Sequence, residues 1–239
     1  KIAADLGHEI ISPVPSLFSF QLDSEQITSC SGLSLDNIDL KLITVKNTFS
    51  QRGKILITHW GLSGPLILRM SAFAARELAY DKYQAKLMIN WINMDSLSVD
   101  YLFKKCRHNN GNKTLNSFKP FSQIPRRLWN ILLDQARVDP LTRWGELKSL
   151  DQKRLIQILI SSVYFVKGRG PYRDEFVTAG GVNLQEVDFS TMESKKLKGL
   201  FFAGEVLDID GLTGGFNFQH CWTSGWIAGL AIAKKFFNC

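Results

Sequence analysis

The stretch Phe216–Ala233 is apolar nearly all round and follows directly on the glycine-rich loop Gly211-Leu-Thr-Gly-Gly215. A helix without a polar face needs apolar neighbours on every side. These residues therefore predict a buried helix, and the fold must meet it with a surface that covers it. Ahead of the loop stands the short apolar run Leu200-Phe-Phe-Ala, suited to a buried parallel strand and ending in Gly204-Glu205. Strand, Gly-Glu, glycine loop and helix together describe a ligand loop at the carboxyl end of a strand in an open α/β sheet. Glu205 can accept hydrogen bonds from sugar hydroxyls. Gly211, Gly214 and Gly215 let the backbone approach a flat ligand. The helix start offers unpaired N–H groups and a partial positive charge. Gly225 and Gly229 would let the helix pack close to a sheet. A phosphate site, or a turn with no ligand at all, explains the same glycines equally well. No GxGxxG and no P-loop occurs in the chain.

Residues 14–93 read as a mostly antiparallel sheet or barrel with one helix. Short apolar runs (Leu17–Leu22, Leu33–Leu35, Leu40–Val45, Ile55–Ile57) alternate with turn formers. Tyr83–Trp91 has the period-two alternation of a half-buried strand. Pro65 suits a first helical turn, and Ser63 is expected to cap that helix. From Asp95 to about residue 160 the pattern is helical. Val99, Leu102, Phe103 and Cys106 share one face, Pro125 opens a helix carrying Leu128, Leu132 and Leu133, and Ser149 with Gln152 is a capping-box pattern. Strand character returns at Val163–Val166 and Glu175–Thr178.

Composition narrows the class. The chain is 45% hydrophobic and 21% charged, as in ordinary globular domains, and no apolar run approaches the roughly 18 residues of a membrane span. Net charge is +7, with Lys and Arg spread along the chain in short pairs. That balance suits a solvated surface and permits phosphates or RNA. Cys30, Cys106, Cys221 and Cys239 form no CxxC, so neither zinc nor disulfides are expected, no metal site is assigned, and a reducing cytoplasm fits. The acidic trio Glu205, Asp208 and Asp210 is better explained by hydrogen bonding and loop capping than by a cation. In Gly168-Arg-Gly-Pro-Tyr-Arg, Arg169 and Arg173 are candidates for an anionic substrate or a nucleotide phosphate, against a plain exposed turn.

Gly199–Gln219 closely resembles the closing flavin motif of the HI0933-like flavoproteins. Leu6-Gly-His-Glu-Ile with Pro13 and Pro15, the stretch Gly53–Pro65, and Val177-Thr-Ala-Gly-Gly-Val with Thr191-Met-Glu-Ser resemble the same family, in order along nearly the whole chain. The resemblance implies α/β plus β architecture, the C-terminal part of a two-dinucleotide-binding flavoprotein. The expected divisions are 1–12 (end of a first FAD-domain segment), 13–95 (inserted β-barrel-like domain), 96–162 (small helical domain) and 163–239 (return to the FAD domain). It further implies a preceding GxGxxG unit that this chain lacks, so that FAD binding by the chain alone is expected to be weak or absent and Phe216–Ala233 would stay exposed. The expected activity is FAD-dependent hydride transfer, with NADH or NADPH as donor and a small-molecule substrate. A flavin-dependent RNA-modifying enzyme and a non-catalytic binding module are the alternatives. Gly204 and Glu205 fall at the ribityl or ribose part of FAD. Gly214, Gly215, Phe216 and Asn217 fall at the helix start facing the ring, and Thr178, Gly180 and Gly181 near the ring on another strand end. Asp210 and Gln219 are carried over with them as cofactor-binding residues. Phe216 stands where the family commonly has Tyr, which argues against a catalytic phenol, and His220 where apolar residues are usual. By family position, His59 faces the substrate side. No catalytic residue is assigned.

Overall fold

The computed structural model describes residues 1–171 and 177–237. A short helix α1 (Ile2–Asp5) leads into β1 (Ile10–Ser16) and β2 (Phe20–Leu22), then α2 (Glu25–Thr28), β3 (Ser34–Ile43), β4 (Thr48–Thr58) and β5 (Gly61–Ser63). Helices α3 (Pro65–Phe73) and α4 (Ala75–Tyr80) precede β6 (Ala85–Asn90). Three helices follow, α5 (Ser96–Asn110), α6 (Arg126–Gln135) and α7 (Ser149–Ser161), then β7 (Ser162–Arg169) and β8 (Val177–Val182). The two-residue strands β9 (Val187–Asp188) and β10 (Glu193–Ser194) and the long helix α8 (Phe216–Phe237) complete the order.

Six strands close an antiparallel barrel in the order β2-β5-β4-β3-β6-β7. Alternation drives it: Leu35, Ile38, Leu40 and Leu42 of β3, Ile55 and Ile57 of β4, and Leu87 and Ile89 of β6 turn inward and are buried. Helices α5 to α7 are inserted between β6 and β7, and their apolar faces join the same core, with Val99, Phe103, Leu128, Trp129, Leu132 and Trp144 buried. Two expected divisions therefore move. Strand β7, expected to begin the return to the flavin part, instead closes the barrel between β2 and β6. Strand β1, which the expected boundary at 12/13 cuts in two, instead pairs along its length with β8 outside the barrel. In both cases pairing partners distant in sequence decide, and local alternation does not reveal them.

Cap chemistry also differs from expectation. Gly64, at φ +94°, is the N-cap of α3, and Ser63 lies in β5. Helix α7 starts at Ser149 itself, and Gln152 is buried, donating to Asp100 and accepting from Arg107. The run Leu200–Ala203 forms no strand. One edge of β8 is occupied by β1, and among the described residues the other is met by a single parallel bridge, Val182 to Leu207.

Tyr164 of β7 is buried against the insertion and donates to Gln135 Oε1 at 2.9 Å. Burial pushes its phenol up to about 12 from 10.0. The unfolded chain loses this proton first, so stability is complete below pH 10 and is lost as pH rises from 10 towards 12. At about 1.4 kcal/mol per unit, the limit is roughly 3 kcal/mol. Tyr164→Phe should flatten the alkaline limb of a denaturation-versus-pH curve; an unchanged limb would contradict this.

Candidate functional site

A second, smaller core gathers Val182, Val187, Met192, Phe202, Leu207 and Ala228. It seats the turn Gly204–Val206 between β8 and α8. Gly181, at φ +144°, allows that approach: a Cβ there would lie 2.5 Å from the Val206 carbonyl oxygen. Gly180, at φ +115°, does the same for β1, where a Cβ would meet the Ser12 oxygen at 2.6 Å. From the other side α8 grips the turn. The Gly204 N–H donates to Ser224 Oγ at 2.9 Å, and His220 Nε2 lies 3.3 Å from the Gly204 oxygen. His220 thus holds the turn, consistent with a structural rather than a catalytic part.

The glycine loop is closed by one side chain. Asn217 accepts from the Gly211 N–H at 2.7 Å and donates to the Gly211 oxygen at 2.9 Å. The loop then presents Gly214 (φ +123°) and Gly215 (φ +86°) at the start of α8, and nothing lies within 4 Å of where a Gly215 Cβ would stand. A cleft of 430 Å³ opens here, inside the about 300–1,000 Å³ range of small-molecule sites. Glu205, Gly214, Gly215 and Asn217 line it together with Leu17, Leu68, Val177, Leu212, Thr213, Phe218 and Cys221. Glu205 is exposed and has no hydrogen-bond partner among the described residues.

Of the sequence-derived positions, Gly204, Glu205, Gly214, Gly215 and Asn217 come together at this cleft or its supporting turn. Phe216 is 61% exposed and packs its ring beside Gly214. Gln219 is exposed and donates to Thr223. Thr178 pairs with Pro15 in the sheet. Asp210 accepts from Ser16 Oγ at 2.8 Å; burial raises its carboxyl above the ordinary value, and the Ser16 hydrogen bond opposes this. Asp208 pairs with Arg76 at 2.8 Å, so Asp208 and Asp210 serve separate partners, and only Glu205 is left without one among the described residues. His59 is exposed in the turn between β4 and β5 and does not line the cleft. Arg169 lies over the Tyr83 ring, and Arg173 falls outside the described residues. Leu17 and Leu68 were not expected here: both come from the barrel side, and no local signal announces a contact with a loop well over a hundred residues later.

The outer face of α8 remains open. Phe216, Trp222 and Trp226 are 61%, 67% and 69% exposed, and Gly225 and Gly229 have nothing within 4 Å. No sheet seats against that pair among the described residues. No helix among them is long and apolar enough to cross a membrane.

A flat, partly polar cofactor such as FAD is compatible with what is present. The cleft walls are mainly apolar, the backbone at Gly215 is open to close approach, and a carboxylate without a protein partner stands at the rim. The first N–H groups of α8 have no acceptor within the helix.

Residues 14–177 match the family model described as HI0933-like protein barrel and H2TH domain. The chain is 29% identical to the ribosomal RNA dihydrouridine synthase of Escherichia coli (strain K12) over 95% of its own length and 54% of that protein. The corresponding values are 27%, 98% and 55% for the ribosomal RNA dihydrouridine synthase of Haemophilus influenzae. They are 27%, 98% and 57% for the 3-dehydro-bile acid delta(4,6)-reductase of Clostridium scindens. The chain spans about half the length of the curated relatives it matches.

Proposed function

This chain belongs to the HI0933-like family, and from that membership we propose that it forms one wall of the cofactor site of an FAD-dependent reductase acting on a conjugated carbon–carbon double bond. The names of the relatives support the reaction class. Dihydrouridine arises by saturating the uracil ring, and a delta(4,6)-reductase saturates steroid double bonds. The observation that carries the reading is the apolar cleft lined by Glu205, Gly214, Gly215 and Asn217.

FAD, when bound, would supply the two-electron chemistry, replenished by NADH or NADPH. The chain's own residues would bind and position. Glu205 accepts hydrogen bonds from cofactor hydroxyls. Gly214 and Gly215 let the backbone meet a planar ring, and the start of α8 stabilises negative charge on its edge. Leu17, Leu68 and Phe218 exclude water from the reacting face. Asn217 acts by keeping the loop closed. Cys30, Cys106 and Cys221 as free thiols suit the cytoplasm.

The intact protein should carry a flavin absorbance band that bleaches with NADH or NADPH. A colourless protein that cannot take up FAD would overturn the proposal. A second reading makes RNA the substrate. It is favoured by the +7 charge and by two relatives named for ribosomal RNA.

A further inference from the structure

The helical insertion carries the chain's entire charge imbalance. Residues 96–161 hold twelve Lys and Arg against five Asp and Glu, whereas the rest of the chain holds 17 of each. The net charge of +7 therefore belongs to the insertion alone. Outside the insertion six cations have carboxylate partners among the described residues: Arg52 on Asp39, Lys54 on Asp36, Arg76 on Asp208, Lys167 on Asp23, Lys196 on Glu186 and Lys235 on Glu193. Within the insertion Lys104 and Arg154 have carboxylate partners. Arg126, Arg127, Arg137, Arg143, Lys148 and Lys153 are exposed and form no ion pair among the described residues.

Part of this charge converges. Thr114 bridges to Arg143, and the Trp144 N–H donates to the Lys113 oxygen at 3.0 Å, which brings Lys113 and Arg143 together. The Lys113 ammonium lies over the Phe118 ring. Burial, and next the positive charge of Arg126, push the Lys119 ammonium below its ordinary value, so those two cations are neighbours. Arg126 and Arg127 also open α6 with no acid in its first turn, at the helix end where the dipole disfavours cations. Exposed cations crowded in this way stabilise nothing within the chain. The insertion contributes no residue to the cleft, so the charge lies outside the proposed cofactor wall. A small substrate held in the cleft has no use for a second cationic surface outside it, whereas a long polyanion does.

We propose that the face of the insertion built around Lys113, Arg126 and Arg143 holds the sugar–phosphate backbone of an RNA substrate. This inference rests on the RNA reading above. It adds which surface of the chain meets the RNA and assigns that surface to phosphate contacts, which position without reading sequence.

The test uses the intact protein and a labelled ribosomal RNA transcript, with affinity measured across a salt series. Arg126→Glu combined with Arg143→Glu should weaken binding by at least about tenfold and make the log–log salt dependence shallower by about two. The flavin absorbance band and the thermal melt should stay as in the parent. Lys41→Glu with Lys86→Glu, on the exposed barrel strands, should stay within about twofold. If the double reversal unfolds the protein, Arg126→Ala and Arg143→Ala carry the test, each expected to weaken binding roughly threefold. A parent that binds RNA while the insertion variants bind equally well overturns this surface and leaves the RNA reading standing. A parent that fails to bind RNA at low salt, or that binds phosphatidylglycerol vesicles instead, overturns both.

Discussion

Replacing Gly181 with valine should unseat the Gly204–Val206 turn and with it the proposed flavin wall. A Cβ at residue 181 would stand 2.5 Å from the Val206 oxygen and 2.7 Å from the Leu207 carbonyl carbon, and the backbone sits at φ +144°. The obstacle is main chain on both sides, so no side-chain rotation relieves it. Overpacking costs about 1–3 kcal/mol and an unfavourable φ a similar amount. Together, roughly 2–6 kcal/mol bears on a small core of few residues. The expected result is a protein that melts earlier and loses its flavin band on gel filtration. Gly7→Ala is the control: φ there is +86°, but nothing lies within 4 Å, so only the backbone cost of about 1 kcal/mol should appear. Equal melting temperatures for the two variants would refute the steric account.

Trp129→Ala should be the most damaging change in the helical insertion. The ring is fully buried, lies 6.1 Å from Phe121, and donates from Nε1 to the Leu115 oxygen at 2.9 Å. Removing a buried tryptophan costs about 3–5 kcal/mol through lost burial and the cavity left behind. The orphaned Leu115 carbonyl adds about 1 kcal/mol or more. For a chain of this size that corresponds to a fall of roughly 10 °C or more in Tm. Differential scanning calorimetry on the intact protein measures it, and a fall under about 3 °C would mean that the site collapses around the void.

Much of the fold was legible because two local signals are strong. Period-two alternation marks β6, short apolar runs between turn formers mark β3 and β4, and the helical face Val99, Phe103 and Cys106 marks α5. Both follow from side-chain geometry within one element, which spacing alone records. Caps were less legible. Ser63 and the Ser149–Gln152 pair have the right letters, yet Gly64 takes the N-cap of α3 and Gln152 turns inward to Asp100 and Arg107. A polar side chain next to a helix start has several partners to choose from, and packing chooses.

The candidate site divides in the same way. Gly204, Glu205, Gly214, Gly215 and Asn217 stand close together in the chain, so the loop could be marked from its letters. The far wall could not. Leu17 and Leu68 reach the cleft only because the barrel brings them there. Gly180 and Gly181 turn out to serve close backbone packing, an approach visible only once β1, β8 and the 204–207 turn are placed.

The apolar stretch Phe216–Ala233 shows where each kind of knowledge stops. Composition determined that it forms a helix and that its surface calls for apolar cover, because both follow from the residues themselves. Only the tertiary structure decided which face is engaged. His220, Cys221, Ser224 and Ala228 meet the turn and the small core, Phe218 lines the cleft, and Phe216, Trp222 and Trp226 are largely exposed. Charge follows the same division. The value +7 is a property of the sequence, but its concentration in the insertion has meaning only once β6 and β7 close the barrel and bound that insertion. The physical reason is common to both: composition sums over residues, whereas burial and electrostatic potential depend on distances that the chain acquires on folding.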